Sequence, residues 1–241
     1  MNRNSRISHP FPGDGLALVL GSTGGMGSAM TECLVESGQF AAVKGLARRT
    51  EPPLDVTDEA SIAEAASAIG QLGMPLRLVF DATGFLHDDD FMPEKSFRHL
   101  DPRHLARAFE INATGPGLLM KHFLPLMARD GKAVFATLSA RVGSIGDNRF
   151  GGWYAYRASK AALNQLVRTA AIELGRSARK AICVALHPGT VDTALSAPFA
   201  KSGLDVRPPE QAAGEIWQVI QRLSANDSGG FFDHRGESID W

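Results

Sequence analysis

Five consecutive apolar residues, Leu16–Leu20, run straight into Gly21-Ser22-Thr23-Gly24-Gly25-Met26-Gly27. A run that short and continuous is a strand buried on both faces, as in a parallel sheet. The pattern from Gly24 to Val35 behind it is helical. A glycine turn between such a strand and such a helix lets the backbone double back tightly and leaves space beside it. The helix then points free N–H groups and a positive dipole end into that space, which suits an anion. In this context Gly21, Ser22, Thr23, Gly25, Met26 and Gly27 are expected to cradle the pyrophosphate of a dinucleotide.

The same alternation continues. Strands are expected at 41–47, 76–81, 133–138, 181–186 and near 230–233, and helices at about 58–70, 102–127, 154–174 and 210–223. Apolar strands alternating with helices predict an α/β fold: a Rossmann-type, doubly wound parallel sheet with helices on both faces, in a single domain. Residues 14–241 are assigned to that domain and 1–13 to a flexible tail. One connection is too short. Only Thr50-Glu51-Pro52-Pro53 separate Arg49 from Leu54, whereas a parallel crossover needs a dozen or more residues. A peripheral helix is therefore predicted to be missing, with only a short strand at 54–56.

The second strand ends in Arg48-Arg49. An acid there would accept from the ribose hydroxyls of NAD, whereas arginine suits the 2′-phosphate of NADP. NADP(H) is the expected cofactor, with Asp55 further along, near the adenine. Tyr156 and Lys160, four apart, share one helix face. An ammonium beside a phenol favours the phenolate and is expected to lower its pKa, fitting the tyrosine for proton exchange. In the 102–127 helix, Pro116 lies four residues after Asn112 and deprives its carbonyl of a partner. That carbonyl either marks a plain kink or holds a relay water leading toward Lys160.

These residues resemble the short-chain dehydrogenase/reductase family over nearly the whole chain. The resemblance rests on the Gly21-x-x-x-Gly25-x-Gly27 turn, Asp55-Val56, the Asn112 helix, Tyr156-x-x-x-Lys160 and Pro188-Gly189-x-Val191-x-Thr193. Gly143-Ser144-Ile145-Gly146 and the Trp241 ending resemble its C-factor and sniffer-type carbonyl reductase branch. The resemblance implies Tyr156 as general acid/base, and Lys160 lowering its pKa and binding the nicotinamide ribose. It implies Asn112 holding a water, Thr193 and the Val191 backbone at the nicotinamide amide, and Ala82, Thr83 and Gly84 on the adenosine side. Pro188 and Gly189 belong to the same cofactor loop. The family carries Asn-Asn-Ala-Gly where this chain has Asp81-Ala82-Thr83-Gly84, and a second serine where this chain has Ala140 after Ser139. Either Ser139, shifted by one residue, or Ser144 from the following loop would replace the family's catalytic serine.

A substrate lid is expected at about 194–209. Its Leu195, Pro198, Phe199 and Leu204, with His87, Phe150 and Trp153, suggest an apolar pocket for a ketone, aldehyde or alcohol. His187, before Pro188, is taken as a strand-end histidine and not as a base. Formal charge is −1 without a basic stripe, which argues against a nucleic-acid partner. No apolar run approaches a membrane span. Cys33 and Cys183 are expected to be buried thiols in a reducing cytoplasm, and no metal site is expected. Apolar residues on several faces of both long helices suggest a homodimer or homotetramer. Besides a cytoplasmic carbonyl reductase, two readings stay open: an NADP-binding regulatory protein with little turnover, or an extracellular signal.

Overall fold

The computed structural model describes residues 10–199 and 205–241. Six parallel strands form one sheet: β1 (Leu16–Leu20), β2 (Ala42–Leu46), β3 (Leu76–Asp81), β4 (Ala133–Leu138), β5 (Ala181–His187) and, last in the chain, β8 (Phe231–Asp233). Their spatial order is β2-β1-β3-β4-β5-β8. Two short strands, β6 (Thr190–Val191) and β7 (Val206–Arg207), pair outside the sheet. β1, β3 and β4 are buried throughout, as their unbroken apolar runs require, whereas β2 is half-exposed at the edge.

Side chains alternate between the two faces. Leu16, Leu18 and Leu20 face α2 (Glu59–Gln71), α4 (Gly115–Phe123) and α5 (Tyr154–Ser177), meeting Ile62, Phe123 and Leu163. Ala17 and Val19 face α1 (Gly25–Ser37) and α6 (Pro209–Arg222), meeting Met30, Ile216 and Trp217. Truncating a core leucine such as Leu18 to alanine would cost roughly 2–5 kcal/mol. Phe11 is also buried, stacked on Trp217 with ring centroids 5.8 Å apart. The packed domain therefore begins before residue 14, and the expected tail is shortened at least to there; residues 1–9 lie outside the described residues.

No helix separates Arg49 from Leu54, and no strand forms at 54–56 either, which corrects that expectation. Pro52 and Pro53 carry no N–H for a ladder. Thr50 closes a turn on Ala47 instead, and Leu54 donates its N–H to the Ala47 carbonyl and enters the core. Val56 packs against the start of α4, where a Cβ on Gly115 would lie 3.0 Å from it. β2 is left as the sheet edge.

The helix expected at 102–127 runs without a gap to Leu126 but changes pitch at the place where Pro116 is expected to disturb it. α3 (Pro102–Phe109) passes into a π turn at Glu110–Thr114, then α4, then a 3₁₀ turn at Leu124–Leu126. Pro116 cannot donate to Asn112, and the Gly115 N–H reaches back five residues to the Glu110 carbonyl. α5 runs past Gly175 to Ser177. Of the cysteines, Cys183 is buried and Cys33 only half-buried; both are free thiols. No described helix is long and apolar enough to cross a membrane.

Candidate active site

A cleft of about 380 Å³ opens at the carboxyl ends of β1, β3, β4 and β5, the place where open parallel sheets bind ligands. At one end lies the glycine turn. Gly21 has φ +77°, accessible chiefly to glycine. A Cβ on Gly27 would fall 2.1 Å from the Gly21 carbonyl oxygen, so Gly27 lets α1 pack onto the turn. α1 starts at Gly25 with no side-chain cap and no acid in its first turn. Its first N–H groups therefore face the cleft beside Gly24, Gly25 and Met26. Ser22 packs between the turn and β2, 2.5 Å from where a Cβ on Gly45 would be; Thr23 is exposed.

Beyond the end of β2, Arg48 and Arg49 are exposed. The Asp55 carboxylate accepts from the Thr57 N–H at 2.9 Å and hydroxyl at 2.8 Å. These bonds, with Arg48 nearby, hold it below the usual carboxylate range. The uncapped helix N-terminus fits the phosphate of a dinucleotide; Arg48 and Arg49 are exposed beyond β2 but do not line the cleft.

Ala82, Thr83 and Gly84 line the next stretch of cleft. Asp81, behind them, is fully buried. It accepts from the Thr83 N–H and hydroxyl and, across the β3–β4 register, from the Thr137 hydroxyl at 2.7 Å. Burial pushes its carboxyl up against those bonds and the Lys160 charge.

Tyr156 and Lys160 both line the cleft, with Lys160 Nζ 5.9 Å from the phenol ring centroid. Nζ donates to the Leu138 carbonyl at 2.8 Å. Burial lowers the Lys160 ammonium to about 8 and raises the Tyr156 phenol to about 12. The expected lowering of the phenol is not found: burial alone moves it, upward. Asn112 lies behind this wall. Its Oδ1 accepts from the Phe85 N–H at 2.7 Å, and its Nδ2 donates to the Phe85 carbonyl and the Ser159 hydroxyl. A Cβ on Gly84 would lie 3.7 Å from both Asn112 Oδ1 and Lys160 Nζ, so these residues converge.

The two serines separate. Ser139 lines the cleft, but its hydroxyl donates to Asn164 Oδ1 at 2.6 Å. Ser144 is buried and not part of the cleft wall, and its hydroxyl accepts from the Asp147 N–H in a turn. Ala140 lines the cleft where the family's serine is expected.

Pro188, Gly189, Val191 and Thr193 close the far wall. Thr193 lies over α1, its Cγ2 2.7 Å from the Cβ position of Gly25. Of the expected pocket, Leu195, Phe199 and Trp153 line the cleft, and His87 packs edge-on to Phe199 at 5.4 Å. Pro198 does not line it; Phe150, 94 % exposed, faces solvent, and Leu204 lies outside the described residues. His187 lines the cleft, and burial followed by Arg141 lowers its imidazole to about 4, leaving it neutral near pH 7. Sequence reasoning overlooked Arg141, which lines the cleft and pairs with Asp147 and Asp233. Its place just beyond a strand's carboxyl end was the available signal. Among the described residues no cluster of three metal-ligating side chains occurs.

The family model described as enoyl-(acyl carrier protein) reductase matches residues 27–213. A 1-hydroxy-2-glutathionyl-2-methyl-3-butene dehydrogenase of Rhodococcus sp. is 32 % identical over 87 % of this chain and 86 % of its own. The chain belongs to the short-chain dehydrogenase/reductase family. This family member is also 37 % identical to the C-signal protein of Myxococcus xanthus, over 59 % of the chain and 81 % of the relative. Its fold matches an NADPH-bound carbonyl reductase from chicken fatty liver with TM-score 0.83 and 26 % identity, over 96 % of this chain and all of the other. The carbonyl reductase Sniffer of D. melanogaster, at 23 % identity and TM-score 0.82, covers 95 % of this chain and 99 % of its own and shares the fold.

Proposed function

We propose that this family member is an NADPH-dependent reductase of ketone or aldehyde carbonyls. One observation carries the reading: Tyr156 and Lys160 share a cleft with the uncapped N-terminus of α1 and with Thr193. The Rhodococcus relative, by its name, works on an alcohol, and the chicken structure, by its title, holds NADPH. NADPH, when bound, supplies the hydride for the carbonyl carbon. Arg48 and Arg49 would hold the 2′-phosphate, the α1 N-terminus the pyrophosphate, and Lys160 the nicotinamide ribose. Tyr156 would donate its phenolic proton to the carbonyl oxygen, and Lys160 would stabilise the phenolate left behind. Leu86, Val142, Trp153, Leu195 and Phe199 would exclude water and hold an apolar carbonyl compound.

The test is NADPH oxidation against aldehydes, ketones and quinones, comparing wild type with Tyr156→Phe. Turnover in the wild type that disappears in the variant is expected. NADPH binding without turnover on any carbonyl would replace this reading with a cofactor-binding regulatory protein. That second reading draws on the C-signal relative and on the engagement of the Ser139 hydroxyl by Asn164. The reductase is further proposed to be cytoplasmic and homo-oligomeric, with contact through the apolar groove between α4 and α5 that Leu124 and Leu166 line. Sedimentation equilibrium at a single monomer mass would remove the oligomer.

A further inference from the structure

α5 begins in an unusual way. Gly151, Gly152 and Trp153 all have positive φ, and Trp153, at 53°, is the one described non-glycine residue that does. The left-handed region is strained for a side chain this bulky. Trp153 is the helix N-cap and offers no side-chain bond, so the first N–H groups of α5 need partners from elsewhere. Glu94, from the loop between β3 and α3, supplies them. Its backbone carbonyl accepts from the Trp153 N–H. Both its carboxylate oxygens lie near the Ala155 N–H, at 3.3 and 3.2 Å. A carboxylate against a helix N-terminus also complements the dipole.

This carboxylate is almost wholly buried. Its second partner is His104 of α3, whose Nδ1 lies 3.2 Å away. The His104 ring is itself fixed, stacked on Phe91 at 5.0 Å and edge-on to Phe85 at 6.0 Å. Phe85, Ala108 and Ala155 form a small apolar cluster around the pair. A buried polar group costs free energy unless it is hydrogen-bonded, so these two partners hold the Glu94 carboxyl under this one turn of α5. That turn carries Trp153 and Tyr156, whose rings lie 6.2 Å apart in the cleft wall.

We infer that Glu94, held by His104, is a positioning residue that fixes the first turn of α5 and thereby aims Tyr156 and Trp153 into the cleft. The inference rests on the reading of Tyr156 as the acid, and part of its test needs no turnover. The full chain is compared as wild type, Glu94→Leu, Glu94→Gln, His104→Leu and the Glu94→Gln/His104→Leu double variant. Lys132→Met is the control: Lys132 donates to the Ile220 and Gln221 carbonyls at the end of α6, away from the cleft.

Hydrogen exchange of the peptide spanning 153–157 is measured without cofactor. Glu94→Leu is expected to speed exchange there about tenfold or more, while Lys132→Met leaves it unchanged. With NADPH and one carbonyl substrate, Glu94→Leu is expected to lower kcat about 10–100-fold with KM within about threefold, as misaligned reacting groups do. Glu94→Gln keeps an oxygen for the Ala155 N–H and is expected to restore most of the protection and rate. The double variant is expected to lose less than the sum of its single changes, because His104 acts through Glu94. Unchanged exchange in Glu94→Leu, or a kcat loss no larger than that of Lys132→Met at equal loss of Tm, would overturn the inference. Altered exchange in a protein whose wild type turns over no carbonyl would retain Glu94 as the helix clamp and discard the reductase reading instead.

Discussion

The two ends of the cleft are built in different ways. At the glycine turn the backbone forms the site: Gly21 supplies a positive φ, Gly27 a close approach, and α1 its bare N–H groups. At the ends of β4 and β5 side chains form it, each set by a distant partner. Ser139 is turned by Asn164, Lys160 by the Leu138 carbonyl, and the first turn of α5 by Glu94. A backbone site tolerates changes of side chain but no Cβ at its glycines. A side-chain site keeps its shape when a reacting atom is removed, and loses only the chemistry.

The sharpest contrast between the ends comes from Gly27→Val and Tyr156→Phe. Valine at 27 would drive its Cβ into the Gly21 carbonyl, 2.1 Å away, and the strand–helix junction would have to open. Loss of soluble protein or of all NADPH binding is expected, measured by expression and cofactor fluorescence. Tyr156→Phe is expected to bind NADPH like wild type while turnover falls about 10²–10⁴-fold, the usual contribution of a general acid. A Gly27→Val protein that binds NADPH normally would erase the distinction.

Next in size are Arg48→Ala and Arg49→Ala, which sharpen the cofactor end. Both residues are exposed just beyond the carboxyl end of β2. Each change is expected to raise the KM for NADPH about tenfold and leave that for NADH unchanged, one charge-assisted bond being worth about 1.5–3 kcal/mol. Equal effects on both cofactors would remove the arginines from 2′-phosphate recognition.

This difference also explains what the sequence revealed. The parallel sheet, the turn and the Tyr156–Lys160 face are legible because each follows from local pattern: apolar runs, glycine between strand and helix, a four-residue spacing. The missing crossover helix was legible for the same reason, since Thr50–Pro53 is too short for one. What failed depended on tertiary contacts. Leu54–Val56 forms no strand because Ala47 and the start of α4 engage it. The pKa of Tyr156 moves up because of burial, which is invisible in a four-residue motif. Ser139 and Ser144 look alike in sequence, and only the fold shows that the first lines the cleft, donating to Asn164, while the second sits in a turn, accepting from the Asp147 N–H. Glu94 gives no signal in its own neighbourhood, since its partner Ala155 lies 61 residues on.

Ala140→Ser tests the side-chain end by adding to it. Ala140 lines the cleft and has no hydroxyl, while that of Ser139 is taken. A serine at 140 would offer a donor to the carbonyl oxygen as negative charge develops there. Removal of one such donor elsewhere costs about 10²–10³-fold, and an unevolved addition should recover a fraction, so about a tenfold rise in kcat is expected. No rise, with KM unchanged, would mean that Tyr156 alone already satisfies the oxygen.

The smallest effect concerns stability. In the unfolded chain Lys160 has its ordinary pKa of 10.5, and in the fold burial lowers it to about 8. Between those values the unfolded state binds more protons than the folded one, so stability gained through this residue rises with pH. The ammonium's burial cost is therefore felt in full below about pH 8 and relieved toward pH 10. Lys160→Met removes that cost together with the bond to the Leu138 carbonyl, which the ammonium and the neutral amine can both donate. The Tm of the variant relative to wild type should accordingly be highest near pH 7 and decline toward pH 10, each kcal/mol being worth about 2–4 °C in a domain this size. A difference in Tm that stays flat across that range would show that the ammonium is solvated in the cofactor-free cleft. The side-chain end would then be as open to water as the glycine end, and the contrast between them would narrow to geometry.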